Sequence, residues 1–188
     1  MYIVAVNGSS NNDGNSAFLL NEIKKHCIGA DFEIISAYEA ICDAKTPFCT
    51  NCTTPCQKVC YSGSKLEEAF DKIERADFVI FASPVYFGSM SAQLKAFFDK
   101  TRAVRADKKW LGKPMATVSV GASKYGGQER TVDHIQSCAM VNGMKVIGNG
   151  SELMMGHFGV SAHKPADKDE YAIKQCESLA KAILSYVK

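Results

Sequence analysis

Short runs of β-branched and other apolar residues alternate along this chain with longer segments in which apolar residues recur every three or four positions. The short runs predict five strands, at residues 2–6, 32–35, 78–82, 116–120 and 144–147. The periodic segments predict helices between and after the strands, the first at residues 16–27 and the last at residues 172–187. Strands that alternate with helices in this way indicate an α/β fold, a doubly wound parallel sheet with helices on both faces.

Two predicted connections, residues 37–63 and 148–167, are longer than most loops in compact domains, and loops of that length are commonly functional. Ligands of open α/β sheets bind beyond the carboxyl ends of the strands, where the strand order reverses. We therefore expect a binding site at the connections that follow the first, third and fourth strands.

The composition of the chain indicates its class, its domain count and its environment, but it does not identify a reaction. The chain has 188 residues, of which 46% are hydrophobic and 22% are charged, values typical of a globular protein. This length suits a single domain over residues 1–188. A net charge of +2 indicates neither a nucleic-acid nor a membrane partner. A strand directly after Met1 leaves no room for a signal peptide, so we expect a cytoplasmic protein.

The loop after the first strand, residues 7–16, consists only of small and polar residues and leads into a helix. Glycines, hydroxyls and the free N–H groups of a helix N-terminus together favour a phosphate-binding loop. A Walker A loop is excluded because five residues separate Gly8 from Gly14 and Asn15 stands in the lysine position, and the dinucleotide pattern G-x-G-x-x-G is absent. The alternative is a polar turn in which Asn15 or Ser16 only caps the helix.

The loop after the third strand, residues 83–91, contains a proline, two adjacent aromatic residues and a glycine before a helix begins. Such a loop offers backbone N–H groups and an aromatic surface, which are the features that a flat aromatic ligand needs. The alternative is a turn with two buried aromatic side chains.

Eight cysteines are unusual for a chain without a secretory signal, and four of them, Cys49, Cys52, Cys56 and Cys60, lie within twelve positions. Thiolates this close in sequence favour an iron–sulfur cluster over structural zinc, which prefers two separated pairs. Zinc and metal-free thiols remain as alternatives. Three other cysteines, Cys27, Cys138 and Cys176, occupy helical core positions and are expected to be buried apolar residues.

Residues 8–16, 83–89, 94–100 and 126–129 together resemble, in the same order and over nearly the whole chain, the flavodoxin-like NAD(P)H-dependent FMN reductases. Within that family the chain most resembles the iron–sulfur flavoproteins. The resemblance implies a flavodoxin-like sheet of strand order 2-1-3-4-5. It also implies an oxidoreductase that takes a hydride from NAD(P)H and passes electrons to a small-molecule or protein acceptor, and a homodimer or homotetramer.

The resemblance further implies a non-covalent FMN and the residues that hold it. The phosphate is expected on Ser9, Asn11, Asn15 and Ser16. The isoalloxazine ring is expected against Pro84, Val85, Tyr86, Phe87 and Gly88, with its pyrimidine edge closed by Gly121, Ala122, Ser123, Tyr125, Gly126 and Gly127. No catalytic acid or base is expected, because the flavin performs the chemistry.

In the iron–sulfur flavoproteins a compact cysteine motif on the corresponding loop binds a [4Fe–4S] cluster, so the resemblance implies metal ligation by Cys49, Cys52, Cys56 and Cys60. The gaps here are two, three and three residues, whereas the family has two, two and a longer gap. Electrons would then leave the flavin either directly or through the cluster.

Two other functions remain open at this stage: a flavodoxin-type electron carrier without enzymatic activity, and a metal-bearing binding module on an α/β scaffold. The chain contains no H-E-x-x-H motif and no Ser-His-Asp order, so hydrolase functions lack support.

From Lys95 to Lys113 there are seven basic and two acidic residues, which either attract the phosphates of NAD(P)H or form a solvated helix face. His157 and His163 lie in the second long loop and are expected to be structural or solvated.

Overall fold

The computed structural model describes residues 1–187 and is built around a parallel sheet. Its strands are β1 (Tyr2–Asn7), β2 (Asp31–Ser36), β3 (Phe78–Pro84), β4 (Pro114–Gly121), β5 (Lys145–Val146) and β6 (Val160–His163). The order β2-β1-β3-β4-β5, with every pair parallel, confirms the predicted flavodoxin-like order. The chain therefore reverses its direction of winding at β1, which places a crevice between the carboxyl ends of β1 and β3.

The edge of the sheet beyond β4 differs from the prediction. β5 pairs only with the start of β4, at Pro114 and Met115, and β6 pairs with the end of β4, from Val118 to Gly121. The predicted strand at 144–147 is thus shorter than expected. The predicted loop 148–167 contains β6 and the first two residues of a short 3₁₀ turn (Ala166–Lys168). The four residues of β6 are too few to show the alternation of apolar and polar positions that predicts a strand. β6 forms because the end of β4 offers it unpaired backbone N–H and C=O groups.

Helices cover both faces of the sheet. They are α1 (Asn15–His26), α2 (Ala37–Asp43), α3 (Lys65–Arg75), α4 (Ala92–Asp99), α5 (Arg102–Ala106), α6 (Gln128–Val141) and α7 (Glu170–Tyr186). α1 and α7 pack on one face, and α2, α3, α4 and α6 contribute to the core on the other. α2 occupies the start of the segment expected to be a loop, because Ser36 caps it and Ala37, Ala40 and Ile41 bury one side.

β3 lies in the middle of the sheet and has apolar residues at successive positions because both of its faces are covered. Val79 and Phe81 belong to one core cluster, whereas Phe78, Ile80 and Ala82 belong to the other. Packing on the two faces fixes the height and orientation of the loop that follows this strand.

No helix within residues 1–187 has the length and apolarity needed to cross a bilayer.

Candidate functional site

The loop after β1 is pinned against the end of β3. The backbone N–H of Gly8 donates to the carbonyl of Ala82 at 2.7 Å, and the Ser91 hydroxyl donates to the carbonyl of Gly8 at 2.6 Å. A β-carbon added at Gly8 would lie 2.7 Å from the same Ala82 oxygen, so a residue with a side chain does not fit here without a shift of backbone. The first two candidate loops therefore begin in direct contact.

Side chains within the loop hold its shape. The Asn7 amide oxygen accepts from the N–H of Ser9 at 3.0 Å, the Ser9 hydroxyl accepts from the N–H of Asn11 at 3.1 Å, and the Asn11 amide oxygen accepts from Asp13 at 3.0 Å. Each of these bonds spans two residues, which is the geometry of local side-chain turns. Ser9 and Asn11 thus define the curvature of the loop, and their contact with a phosphate stays a prediction.

The N-terminus of α1 has no side-chain cap. Its N-cap residue is Gly14, and its first turn carries no acidic residue. The amide oxygen of Asn15 accepts from the N–H of Ala166 at 2.8 Å, and Ser16 is buried. The alternative in which Asn15 or Ser16 only caps the helix is therefore wrong. Uncapped N–H groups and the positive end of the helix dipole make this terminus suited to an anion.

The loop after β3 forms a tight two-residue turn. Tyr86 and Ser89 exchange backbone hydrogen bonds of 2.9 and 3.1 Å, and the two residues between them, Phe87 and Gly88, have φ values of 51° and 73°. Positive φ at both central positions is typical of a type I′ turn, and for Phe87 it is strained. Phe87 is fully exposed, at 108%, and Tyr86 is about half exposed, at 49%. The alternative with two buried aromatic residues is thus wrong.

The loop after β4 contacts the turn that follows β3. The N–H of Val85 donates to the carbonyl of Val120 at 2.9 Å, and Gly127 has a φ of 91°. A β-carbon on Gly127 would lie 3.3 Å from the Gly88 Cα, so the two loops approach within van der Waals contact. The candidate residues at 84–88 and those at 121–127 therefore lie side by side, with Tyr125 exposed at the rim.

The side chain of Gln128 holds the loop after β4 in position, a role that the sequence did not indicate. Its side-chain Nε2 donates to the carbonyls of Ser123 at 2.6 Å and Ala162 at 3.1 Å, and its own carbonyl accepts from the Ser119 hydroxyl. A β-carbon at Gly121 would lie 2.5 Å from that Nε2 atom. Nothing local in the sequence indicates this role, because the partners lie on three different segments.

The segment after β6 braces the site from the other side. Asp169 caps α7 by accepting from Ala172 at 3.1 Å, and it also accepts from the N–H of His163 at 3.0 Å and faces the His163 imidazole at 2.6 Å. Burial raises the pKa of the Asp169 carboxyl, but the two backbone N–H donors and the imidazole lower it, so the net pKa lies below its ordinary value. His157 contacts the hydroxyl of Tyr171 at 3.0 Å. Both loop histidines therefore have structural contacts.

The four clustered cysteines do not converge. Within residues 1–187 no three His, Cys, Asp or Glu side chains lie close enough together to hold a metal ion. Tyr61 lies beside Cys56 and Cys60, and its buried hydroxyl has no hydrogen-bond partner within the described residues. Burial is the largest cause that raises the pKa of this hydroxyl, and the nearby Cys56 and Cys60 raise it further. The cysteine side chains as placed do not fit a [4Fe–4S] cluster, and this arrangement does not support the predicted ligation.

The start of the cysteine loop is anchored to the core by a buried amine. Lys100, only 2% exposed, donates from Nζ to the carbonyl of Thr46 at 2.6 Å and to its hydroxyl at 3.2 Å. Of the remaining cysteines, Cys27 and Cys176 are buried as predicted, and burial raises the pKa of Cys27 to about 11. Cys138 is only partly buried, because its side of α6 borders a groove rather than the core.

The chain is similar to known proteins both in sequence and in fold. Residues 1–158 match the family model described as NADPH-dependent FMN reductase. An iron–sulfur flavoprotein of Methanocaldococcus jannaschii is 29% identical over 100% of this chain and 98% of its own, and one of Methanosarcina thermophila is 36% identical over 68% and 64%. A flavoenzyme NAD(P)H:acceptor oxidoreductase of Paracoccus denitrificans superposes with a TM-score of 0.70 at 16% identity, covering 99% and 96% of the two chains, which establishes the shared fold.

Proposed function

The chain belongs to the NADPH-dependent FMN reductase family, and from that premise we propose that its three contacting loops bind a single FMN. The protein is an FMN-dependent oxidoreductase that uses NAD(P)H as electron donor. One observation carries the assignment of the site: the loops after β1, β3 and β4 meet at the carboxyl edge of the sheet, beside the crevice between β1 and β3. That crevice is where open sheets of this order bind their ligands.

The phosphate end of the FMN is assigned to the uncapped N-terminus of α1. Backbone N–H groups there point out of the helix without a side-chain acceptor, and no carboxylate competes in the first turn. The hydroxyls of Ser9 and Ser16 and the amide of Asn15 border the same terminus. With its oxygen already bonded to Ala166, Asn15 has only its NH₂ group to offer the phosphate.

The ring end of the FMN is assigned to the two loops that touch at Gly88 and Gly127. Pro84, Val85, Tyr86, Phe87 and Gly88 provide one wall, and Gly121, Ala122, Ser123, Tyr125, Gly126 and Gly127 provide the edge. Exposed aromatic side chains at 86, 87 and 125 gain burial when a flat ring covers them. Glycines at 126 and 127 let the backbone approach the ring edge closely.

When bound, FMN supplies the chemistry of hydride acceptance, and the protein supplies position and environment. The strained turn at Phe87 and the clamp made by Gln128 fix the two walls of the site before the cofactor arrives. Within residues 1–187 the cysteines do not form a metal-binding group, so no electron-transfer step is assigned to a cluster. Oligomeric state, cytoplasmic location and the identity of the acceptor stay predictions from the sequence.

Anaerobic titration of the FMN-loaded protein with NADPH tests the proposal. We expect the visible flavin bands to bleach, and catalytic NADPH oxidation to continue when ferricyanide or a quinone is added. Steady turnover excludes a simple electron carrier, and iron and sulfide analysis of the same sample excludes or reveals a cluster. A protein that does not bind added FMN would overturn the proposal.

A further inference from the structure

One segment of the chain contacts both ends of the proposed FMN site. This strap, residues 162–169, joins β6 to α7. At the ring end, the N–H of Lys164 donates to the carbonyl of Gly121 at 3.0 Å. At the phosphate end, the N–H of Ala166 donates to the amide oxygen of Asn15 at 2.8 Å. The strap lies beyond residue 158, where the match to the family model ends.

The contact with Ala166 fixes the orientation of the Asn15 amide. An asparagine amide carries an acceptor oxygen and a donor NH₂ group, and a half-turn about its last bond exchanges the two. Because the oxygen is held by the Ala166 N–H, the NH₂ group is the part that remains for another partner. An amide turned the other way would present its oxygen, which a phosphate repels. The strap therefore makes Asn15 a donor at the N-terminus of α1.

A single buried carboxylate holds the strap in shape. One oxygen of Asp169 accepts from the N–H of His163 at 3.0 Å and faces the imidazole Nδ1 at 2.6 Å. The other oxygen accepts from the N–H of Ala172 in the first turn of α7 at 3.1 Å. The backbone N–H of Asp169 donates to the carbonyl of Ala166 at 3.3 Å. Asp169 thus ties the start of α7 to residue 163 and closes the strap around Ala166.

We propose that Asp169, together with His163, is a positioning residue for the FMN phosphate, because it holds the Ala166 N–H against the Asn15 amide oxygen. This inference rests on the proposed function, since the phosphate is the one assigned to the N-terminus of α1. Charge alone predicts the opposite effect: removal of the negative Asp169 would favour an anionic ligand. Riboflavin lacks the phosphate, so the strap contributes to the preference of the protein for FMN over riboflavin.

The variant Asp169→Ser separates positioning from helix capping. Serine is also a good N-cap residue, so α7 keeps a cap, but one short hydroxyl does not bond both His163 and Ala172. Quenching of flavin fluorescence by apoprotein gives the Kd for FMN and for riboflavin. We expect the ratio of the riboflavin Kd to the FMN Kd to fall by about tenfold, the effect of one hydrogen bond to a charged group. An unchanged or increased ratio would overturn the inference.

Asp167→Ser is the matched control. It removes the same charge from an exposed side chain on the same 3₁₀ turn, so the ratio should stay unchanged or rise slightly. The ³¹P NMR resonance of bound FMN should move in Asp169→Ser and keep its wild-type position in Asp167→Ser. Identical ³¹P spectra for Asp169→Ser and the wild type would contradict the positioning role.

A double variant tests whether Asp169 acts through Asn15. Effects of residues in one hydrogen-bond network are not additive, so in the Asn15→Ala background Asp169→Ser should change the ratio by less than about twofold. A full tenfold effect in that background would show another route and would overturn the inference.

A second single variant keeps the test decisive if urea unfolding shows that Asp169→Ser does not fold. His163→Ala leaves the Asp169 cap on α7 intact, and it should lower the ratio in the same direction; an unchanged ratio would count against the inference. Failure of the wild type to bind FMN would instead count against the proposed function, so the two failures are distinguishable.

Discussion

Replacing Asn15 by aspartate is expected to change protein stability and FMN affinity in opposite directions. Aspartate keeps an oxygen that can accept from the N–H of Ala166, and it adds a negative charge at an uncapped helix N-terminus. Such a charge stabilises a helix by about 0.3–1 kcal/mol. The free energy of unfolding of the apoprotein should therefore be maintained or rise. Asn15→Ala removes the acceptor and should lower it by about 1 kcal/mol.

The same charge repels the FMN phosphate assigned to this terminus. Two unit charges about 4 Å apart interact by about 2 kcal/mol at an effective dielectric constant of about 40, a value between those of bulk water and the protein surface for the partly buried Asn15. That penalty corresponds to an increase in the Kd for FMN of about 30-fold. Quenching of flavin fluorescence on titration with apoprotein measures the Kd, and urea unfolding of the apoprotein measures the stability.

Riboflavin and a second variant provide the controls for this prediction. Riboflavin has no phosphate, so Asn15→Asp should leave its Kd essentially unchanged. Asn21→Asp makes the same change in net charge on α1, but it lies about 9 Å further along the helix axis and should affect FMN binding far less. Equal Kd values for FMN in the wild type and Asn15→Asp would refute the placement of the phosphate at α1.

Three further outcomes are expected. Gly8→Ala should lower the free energy of unfolding by about 1–3 kcal/mol and weaken FMN binding, because its β-carbon would lie 2.7 Å from the Ala82 carbonyl oxygen; urea unfolding at wild-type denaturant concentrations would contradict this. The pKa of Asp169 is lowered in the folded protein, so its stabilising effect is present above about pH 4 and is lost as the pH falls through the folded pKa. Asp169→Asn should remove that part of the acid dependence of unfolding, and identical pH profiles would argue against it. Lys100→Met should cost about 1–3 kcal/mol and speed hydrogen exchange in residues 45–60, because the Thr46 carbonyl loses a charged donor; unaltered exchange there would show that the anchor is unimportant.

The structure differs from the sequence predictions mainly at short elements and at side chains whose contacts depend on the fold. α2 and β6 were expected to be loops, since seven and four residues carry too little periodicity to be recognised alone. Phe87 lies on the turn that the sequence predicts after β3, but its full exposure depends on the backbone conformation that the turn imposes. The positioning role of Gln128 left no local signal, because the Ala162 carbonyl that it bonds lies on β6, 34 residues further along the chain.

The sequence by itself determined the alternation of strands and helices, the polar loop after β1 and the turn after β3, because hydrophobic period and turn chemistry are local properties of the chain. Only the tertiary structure decided that these loops touch, that α1 begins without a cap, that four neighbouring cysteines do not converge, and that the strap contacts both ends of the site. Those facts depend on side-chain direction and on contacts between residues far apart in sequence. They are fixed by packing on the two faces of the sheet, which no local pattern specifies.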